Sequence, residues 1–506
     1  MEKQIRSPHP YLSGNFAPIK QTRRLTRCTH VESIPEELAG GQYVRNGGNP
    51  ITNVDLGRDA HWFDGDGMLT GVLFRREAKH RDIEPETLAL VLLSKLPGSK
   101  RAVKKISVAN TGVLYHDGRA LATCESGPPL TIQLPSLETV GWYNGRRGEN
   151  EGNLDTRAGF GGDGLMRCMK EWTTGHPRVD PITKELVLFH AVFVKPFVYY
   201  SIVPPTMSSA KRSSRYQMFN LPIAGVSSPK MMHDFGVSTG HTVIMDIPLS
   251  LDPMNSIRGK PVVSYDPTER SRYGVFPRYE PNKIQWYETN RCVVFHTANC
   301  WETTSKSSEG ETHVHLLVCR LTSASVVYSA GAIVPPVPKP VPLEYAEEEQ
   351  CRLYYYSFPF SNGKINKTAT IRHQWGLSAI PFEFPTTSPS HSMSVARYIY
   401  GCSTGAISYR PALGKAAKID YIAKIDAETL IAQGIAHPPQ QIKGCVDTRS
   451  VDEIMQNTDD KDPVKLFRMP RGWFAQEPRF VQRANAETED DGWLLTYVFD
   501  ESQLNV

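Results

Sequence analysis

The sequence has few features of a secreted or membrane-spanning protein. Its nine cysteines are scattered without a C-x-x-C pair, which argues against a disulfide framework and indicates reduced thiols in a reducing compartment. No stretch approaches the roughly 18 apolar residues of a transmembrane helix, and residues 1–16 contain no apolar core of a secretory signal. We therefore predict a cytoplasmic protein, with peripheral contact at a membrane surface as a further expectation.

A strong charge of one sign is also missing, as is the signature of a nucleotide-binding protein. The 57 lysines and arginines nearly cancel the 53 acidic residues, which leaves a net charge of +4, so no nucleic-acid partner is predicted. The glycine cluster at residues 159–164 is not followed by the strand-to-helix pattern of a phosphate-binding loop.

Short apolar runs between turn residues dominate the chain. The 38 glycines and 38 prolines are spread throughout, and long helical periodicity is rare. Many short β-branched runs with frequent turns predict an all-β sandwich, barrel or propeller, and the length of 506 residues favours a propeller. We predict strands at residues 112–115, 186–189, 242–245, 292–295 and 315–318, helices at 85–93 and 426–433, and outer loops at 205–215 and 434–465.

Three of the fifteen histidines lie in sequence contexts that suit a metal ligand at the end of a strand. His176 lies in TGHPRVD, His233 in MHDF and His296 in FHTANCWE. They are 57 and 63 residues apart, which is too far for a zinc finger or a helical H-E-x-x-H pair. The spacing suits a cage to which separate supersecondary units each contribute one imidazole, and such a cage suits iron and dioxygen.

An ordered series of short motifs accompanies these histidines. The motifs are GQYVRNGGNP (41–50), HWFDGDGM (61–68), ESGPP (125–129), FEFP (382–385), RYIYG (397–401), QEPRF (476–480) and DDG (490–492). On this series the chain resembles the carotenoid cleavage oxygenases, an iron-dependent superfamily that also contains stilbene-cleaving enzymes and retinoid isomerases. The resemblance extends from residue 41 to the last residue, and the order of the whole set makes it specific.

The resemblance implies a fold and a cofactor. The fold is a seven-bladed β-propeller with a few helices and long loops capping the iron face, formed by residues 41–506, and residues 1–40 are an N-terminal extension. In the family four histidines from different blades hold Fe(2+), and His176, His233 and His296 correspond to the first three. Four nitrogen ligands on an octahedral ion leave two open positions, where dioxygen can bind beside an alkene.

Three glutamates correspond to residues that hold these ligands in the family. A ligand histidine needs its second ring nitrogen held, which fixes the orientation and tautomer of the ring. Glu125 matches the residue that holds His233, and Glu383 matches the one that holds His296. Glu477 matches the glutamate that normally holds the fourth histidine. Without the resemblance, each would be interpreted as an ordinary surface carboxylate.

The chain departs from the family pattern at its end. The fourth histidine is expected beyond the DDG motif, but the sequence ends at Val506 before that point. His437 lies upstream of Glu477 without a matching motif, so it is not assigned as a substitute. We therefore expect incomplete closing strands and an open sheet edge. The alternatives are a truncated gene product, a natural short form that binds iron through three histidines and a water, and a non-catalytic relative.

The function implied is Fe(2+)-dependent oxidative cleavage of a conjugated C=C bond in a carotenoid- or apocarotenoid-like apolar substrate. Dioxygen is the second substrate, the products are two carbonyl compounds, and no catalytic residue is assigned beyond the iron centre. One alternative is a stilbene- or phenylpropanoid-cleaving dioxygenase, which the absence of a tyrosine at 75–85 disfavours. Others are an inactive or weakly active propeller that binds apolar ligands, and a retinoid-type isomerase or hydrolase. An apolar segment at 86–93 followed by basic residues suits membrane contact.

Overall fold

The computed structural model describes most of the chain. Within the described ranges, no helix is long and apolar enough to cross a membrane. The helix predicted at 85–93 and the basic residues that follow it lie outside these ranges. The described residues are 17–49, 51, 65–75, 107–149, 158–163, 170–206, 218–252, 255, 262–304, 312–324, 326–327, 350–361, 369–405, 418–440 and 444–502.

Strands account for most of the regular structure in these ranges, and they are numbered in chain order. They are β1 (Gln42–Asn49), β2 (Asp66–Leu73), β3 (Gly112–His116), β4 (Arg119–Thr123), β5 (Leu130–Gln133), β6 (Glu138–Trp142), β7 (Arg178–Val179), β8 (Leu186–Ala191), β9 (Val198–Val203), β10 (Met218–Pro222), β11 (Gly236–Val237), β12 (His241–Asp246), β13 (Leu249–Leu251), β14 (Val263–Tyr265), β15 (Ser271–Pro277), β16 (Gln285–Thr289), β17 (Val293–Thr304), β18 (Thr312–Leu321), β19 (Cys351–Phe360), β20 (His373–Ser378), β21 (Glu383–Thr386), β22 (Tyr398–Ser403), β23 (Tyr421–Asp426), β24 (Cys445–Asp447), β25 (Val464–Arg468), β26 (Trp473–Ala475), β27 (Arg479–Gln482), β28 (Gly492–Leu495) and β29 (Val498–Asp500).

Five sheets follow one another along the chain as the blades of a β-propeller. Sheet 1 has the order β3-β4-β5-β6, sheet 2 β7-β8-β9-β10, sheet 3 β11-β12-β15-β16, sheet 4 β17-β18-β19-β20-β24 and sheet 5 β21-β22-β23-β25. Neighbouring strands pair antiparallel, except that β24 returns to sheet 4 and pairs parallel with β20. The all-β propeller prediction is therefore confirmed.

The predicted number of seven blades is wrong, because the described residues form five sheets of four or five strands. The strands near the two ends of the chain form only two-stranded pairs, namely β1–β2, β26–β29 and β27–β28. The short pair β13–β14 lies within the segment of sheet 3 without joining it. A blade of four strands needs four runs that pair side by side in one sheet, and in the described residues the strands near each end of the chain pair only two by two.

Apolar β-branched runs form the inner strands, which are buried on both faces. In β12, residues Thr242 to Asp246 are all buried, and β8 is buried from Leu186 to His190. Because each blade packs between two neighbours, both faces of such a strand contact apolar side chains, so the run is continuous rather than alternating. All five predicted strand segments coincide with observed strands.

Two α-helices lie in the described ranges near sheets 4 and 5. Helix α1 (Ala427–Ala436) begins after Asp426, whose carboxylate accepts a hydrogen bond from the backbone N–H of Thr429. This confirms the helix predicted at 426–433. Helix α2 (Val451–Gln456) begins with a capping box. The prediction of loops throughout residues 434–465 is therefore wrong.

Candidate metal centre

The first strands of three successive sheets bring the three predicted histidines together. His176 lies two residues before β7, His233 lies three residues before β11, and His296 lies within β17. The pairing of β17 with β18 shifts register between Val294 and Thr297. This irregularity includes His296. A bulge of this kind changes the direction of the side chain that it contains.

The three imidazoles converge closely enough to share one ion. One ring nitrogen from each histidine lies within 4.8 Å of the corresponding atoms of the other two. The His176 and His233 Nε2 atoms are 2.9 Å apart. Two nitrogens that bind one metal ion at about 2.1 Å and at right angles are about 3 Å apart, so the observed separation fits two neighbouring ligands of one ion.

Two of the predicted glutamates hold two of the histidines. His233 donates from Nδ1 to Glu125 Oε1 at 2.5 Å, and His296 donates from Nδ1 to Glu383 Oε2 at 2.6 Å. Since the proton is on Nδ1 in both rings, each Nε2 carries a lone pair directed at the cluster. The structure thus places Glu125 and Glu383 in the contacts that the sequence predicted for them.

The backbone next to Glu383 contributes to its position. The Phe384 N–H donates to Glu383 Oε2 at 2.6 Å, and Phe384 has a φ of +54°. A non-glycine residue in this left-handed region is uncommon and costs backbone energy. The carboxylate is therefore fixed by its own chain as well as by His296.

The protein environment shifts the pKa values of His176 and His296 in opposite directions. Burial lowers the pKa of His176 well below its usual value, and repulsion from His233 and His296 lowers it further. A neutral imidazole is the form that binds a metal. Burial also lowers the pKa of His296, but the opposing effect of nearby carboxylates, chiefly Glu383, is larger, and the net pKa is raised.

Glu477 lies near the cluster without a hydrogen bond to it. Glu477 is exposed. Its charge raises the pKa of His296, but this effect is smaller than those of burial and of Glu383. Its backbone carbonyl accepts a hydrogen bond from the Tyr43 hydroxyl at 3.5 Å. Burial and then the Glu477 charge raise the pKa of Tyr43 to about 12.

The part of the chain that the structure describes contains one cluster of potential metal ligands, and its members are His176, His233 and His296. His437 is exposed at the C-terminal end of α1, outside this cluster. The donor set is therefore three neutral nitrogens without a carboxylate or thiolate, which suits a divalent transition metal such as iron and leaves coordination positions free.

Several residues that contact the cluster were not predicted from the sequence. Thr174 Oγ1 accepts a hydrogen bond from the His176 backbone N–H and donates to the His233 carbonyl, each at 3.0 Å. The rings of Phe295 and Phe384 lie against the imidazoles of His233 and His296, with centroids 5.6 and 5.2 Å apart. The two phenylalanines could have been predicted from the motifs. Phe295 directly precedes His296 in FHTANCWE, and Phe384 directly follows Glu383 in FEFP.

Comparisons with known proteins show which family the chain resembles. The family model described as retinal pigment epithelial membrane protein, RPE65, matches residues 16–506. The chain is similar to the carotenoid dioxygenase carX of Gibberella fujikuroi, with 48% identity, 98% of this chain covered and 83% of the relative covered. It is 28% identical to a carotenoid 9,10(9',10')-cleavage dioxygenase of Arabidopsis thaliana, with coverages of 98% and 83%.

Two solved structures share the fold. A lignostilbene dioxygenase from Pseudomonas brassicacearum superimposes with a TM-score of 0.67 at 19% identity, covering 97% of this chain and 91% of that one. A cobalt-substituted Synechocystis apocarotenoid oxygenase gives a TM-score of 0.59 at 18% identity, with coverages of 92% and 85%. The propeller and the sequence match together confirm the resemblance inferred from the motifs. The chain belongs to the RPE65/carotenoid cleavage dioxygenase family.

Proposed function

We propose that this protein is an Fe(2+)-dependent dioxygenase that cleaves a conjugated C=C bond of a carotenoid- or apocarotenoid-like substrate. The observation that carries the proposal is the convergence of three histidine side chains from three successive sheets within 4.8 Å. The 48% identity to a carotenoid dioxygenase over 98% of the chain supports the substrate class. A stilbene-type substrate remains the alternative.

The residues of this chain would hold and orient the metal. His176, His233 and His296 would bind it through Nε2, and Glu125 and Glu383 would hold two of the rings through Nδ1. When bound, iron supplies the redox chemistry by which dioxygen, a spin triplet, reacts with a singlet alkene.

The protein need not move a proton in this reaction, because both oxygen atoms of the two carbonyl products come from dioxygen. This agrees with the absence of an assigned acid–base pair in the sequence. The apolar rings of Phe295 and Phe384 beside the imidazoles would keep the reacting alkene in a dry environment. Water exclusion of this kind suppresses side reactions of reactive oxygen species.

The test combines metal content with oxygen incorporation. The chain is loaded with Fe(2+) without oxygen and is then given an apocarotenoid and isotopically labelled dioxygen. We expect about one iron per chain and labelled aldehyde or ketone products. Turnover of a stilbene in place of the apocarotenoid would support the alternative substrate, whereas iron binding without any oxygen-dependent product would support an apolar-ligand-binding protein. Products without label would indicate an isomerase.

Substitution of the ligands provides the matched comparison. His233→Ala should remove most bound iron. His241→Ala is the control, because His241 also donates from Nδ1 to a glutamate, Glu302, at 2.6 Å, and its side chain is similarly buried at 12% exposure against 17% for His233. His241 is outside the cluster, so its variant should retain iron. Full iron content in His233→Ala would contradict the proposal.

The proposed location is the cytoplasm, with peripheral contact at a membrane from which an apolar substrate could be drawn. The division of the chain into an N-terminal extension (residues 1–40) and a propeller domain (residues 41–506) also stays a prediction. Subcellular fractionation of a tagged full-length chain tests the location: recovery with a membrane pellet that high salt releases supports peripheral contact, and recovery in a luminal compartment contradicts it.

A further inference from the structure

A buried carboxylate lies where the three histidine segments meet. Asp234 directly follows His233 in the chain, and its side chain is 2% exposed. Its Oδ2 accepts hydrogen bonds from Arg178 Nη2 at 2.5 Å and from the Thr297 backbone N–H at 2.8 Å. Its Oδ1 accepts from the Phe235 N–H at 2.7 Å.

The partners of Asp234 belong to the other two ligand segments. Arg178 lies two residues after His176, and Thr297 directly follows His296. The same Arg178 nitrogen also donates to the Thr297 carbonyl at 3.0 Å. Asp234 and Arg178 therefore connect each histidine segment to the other two.

These contacts are made where the backbone is least constrained by sheet pairing. β7 and β11 contain only two residues each, and β17 shifts register at His296. Ladder hydrogen bonds therefore do not fix the three ligand positions relative to one another. A buried charge that is paired and fully hydrogen-bonded can supply such geometric specificity.

We propose that Asp234 is a positioning residue for the metal centre, and that with Arg178 it sets the spacing of the three ligand histidines. This inference depends on the proposed function, since it requires that the histidines bind a metal. If the pair served only general stability, its loss would lower stability without changing how the folded protein binds metal. If it sets the spacing, metal affinity and coordination geometry change in protein that remains folded.

The experiment is a Co(2+) titration of the full-length chain after chelation, with affinity measured by chelator competition and geometry by the visible d–d spectrum. Asp234→Asn keeps the size of the side chain but loses its charge and turns one oxygen into an NH2 group, which cannot accept a hydrogen bond. We expect the Kd for Co(2+) to rise by about 10- to 100-fold, the range typical of residues that support metal ligands, together with a changed spectrum.

Asp462→Asn is the matched control. Asp462 is a buried carboxylate with 1% side-chain exposure, and its partner Arg449 is 32% exposed. The corresponding exposures are 2% for Asp234 and 28% for Arg178. It also accepts a backbone N–H bond, from Val464 at 2.9 Å. It lies before β25 in sheet 5, away from the histidines, so the Kd and the spectrum should stay those of the wild type.

Arg178→Met is the second variant in case Asp234→Asn does not fold, since Arg178 is partly exposed. It removes two of the connecting hydrogen bonds and should also raise the Kd and change the spectrum. Wild-type Kd and spectrum in either folded variant would overturn the proposal, as would an equal loss of affinity in Asp462→Asn. Failure of the wild type to bind Co(2+) would instead count against the proposed function.

Discussion

Removing the charge of Glu383 while keeping its shape tests how the carboxylate supports His296. In Glu383→Gln the amide oxygen can take the place of Oε2, which accepts from His296 Nδ1 and from the Phe384 N–H. The amide NH2 then occupies the place of Oε1, which accepts no hydrogen bond from the described residues. The substitution therefore changes charge with little change in contacts.

The magnitude follows from the kind of hydrogen bond. A hydrogen bond to a charged group contributes about 1.5–3 kcal/mol and a neutral one about 0.5–1.5 kcal/mol, so the loss at His296 is roughly 1–1.5 kcal/mol. Since about 1.4 kcal/mol corresponds to a factor of ten, we expect iron to bind about 10-fold more weakly. Glu383→Ala also removes the contacts and should weaken binding by up to about 100-fold.

The assay is anaerobic competition between the chain and a chromophoric chelator for Fe(2+) at fixed neutral pH. Glu302→Gln serves as control, because Glu302 forms a similar pair with His241 at 2.6 Å outside the ligand cluster. The control should bind iron like the wild type. Equal iron affinity in Glu383→Gln and the wild type would refute the reasoning, as would a loss in Glu302→Gln as large as that in Glu383→Gln.

Three further predictions concern stability. Chelation of bound iron should lower the melting temperature, because a metal present at 100 times its Kd stabilises the folded state by about 2.7 kcal/mol; an unchanged melting temperature in iron-free protein would contradict this. The hydrogen bonds from Arg449 lower the pKa of Asp462 from 3.8 to about 2 against the opposing effect of burial. The pair therefore contributes stability above the unfolded pKa, and this is lost as the pH falls through the folded pKa. Urea unfolding should accordingly show that the difference between wild type and Asp462→Asn, about 2 kcal/mol at neutral pH, disappears between about pH 4 and pH 2, whereas a constant difference would argue against the pairing. Gly434→Ala should destabilise the fold by about 1–3 kcal/mol in urea unfolding, because a Cβ would lie 2.4 Å from Trp375 Nε1, and a stabilised variant would show that Trp375 moves freely.

The strands could be predicted because their signal is local. A continuous β-branched run such as the one from Thr242 to Met245 reflects burial on both faces, which requires no knowledge of the partners. The number of blades could not be predicted in this way. It depends on which strands pair, and β24 returns to pair with β20 after three strands and a helix have intervened in the chain.

The second helix has a local sequence signal that the polarity of its segment obscures. Residues 434–465 are polar, and α2 is only six residues long, so periodicity over this stretch is weak. The capping box formed by Ser450 and Glu453, followed by the apolar positions of Val451 and Ile454, was the available evidence for a helix. A polar segment between strands is therefore not sufficient grounds for predicting a loop.

Some residues of the candidate site could likewise be predicted from the sequence, and others could not. The ligand histidines and the glutamates at positions 125 and 383 were found because ordered motifs mark them in the sequence. The bonds of Asp234 to Arg178 and Thr297 cross 56 and 63 residues of chain, and nothing local to those residues indicates them. These bonds form only where the fold brings the three sheets together, so they are apparent only in the structure.

The central claim is that His176, His233 and His296 bind one shared metal ion. Anomalous diffraction at the iron edge from crystals grown with Fe(2+) tests it most directly. We predict one strong peak that lies about 2.1 Å from the Nε2 atoms of all three histidines. A peak elsewhere in the molecule, or no peak from crystals that contain about one iron per chain, would contradict the account.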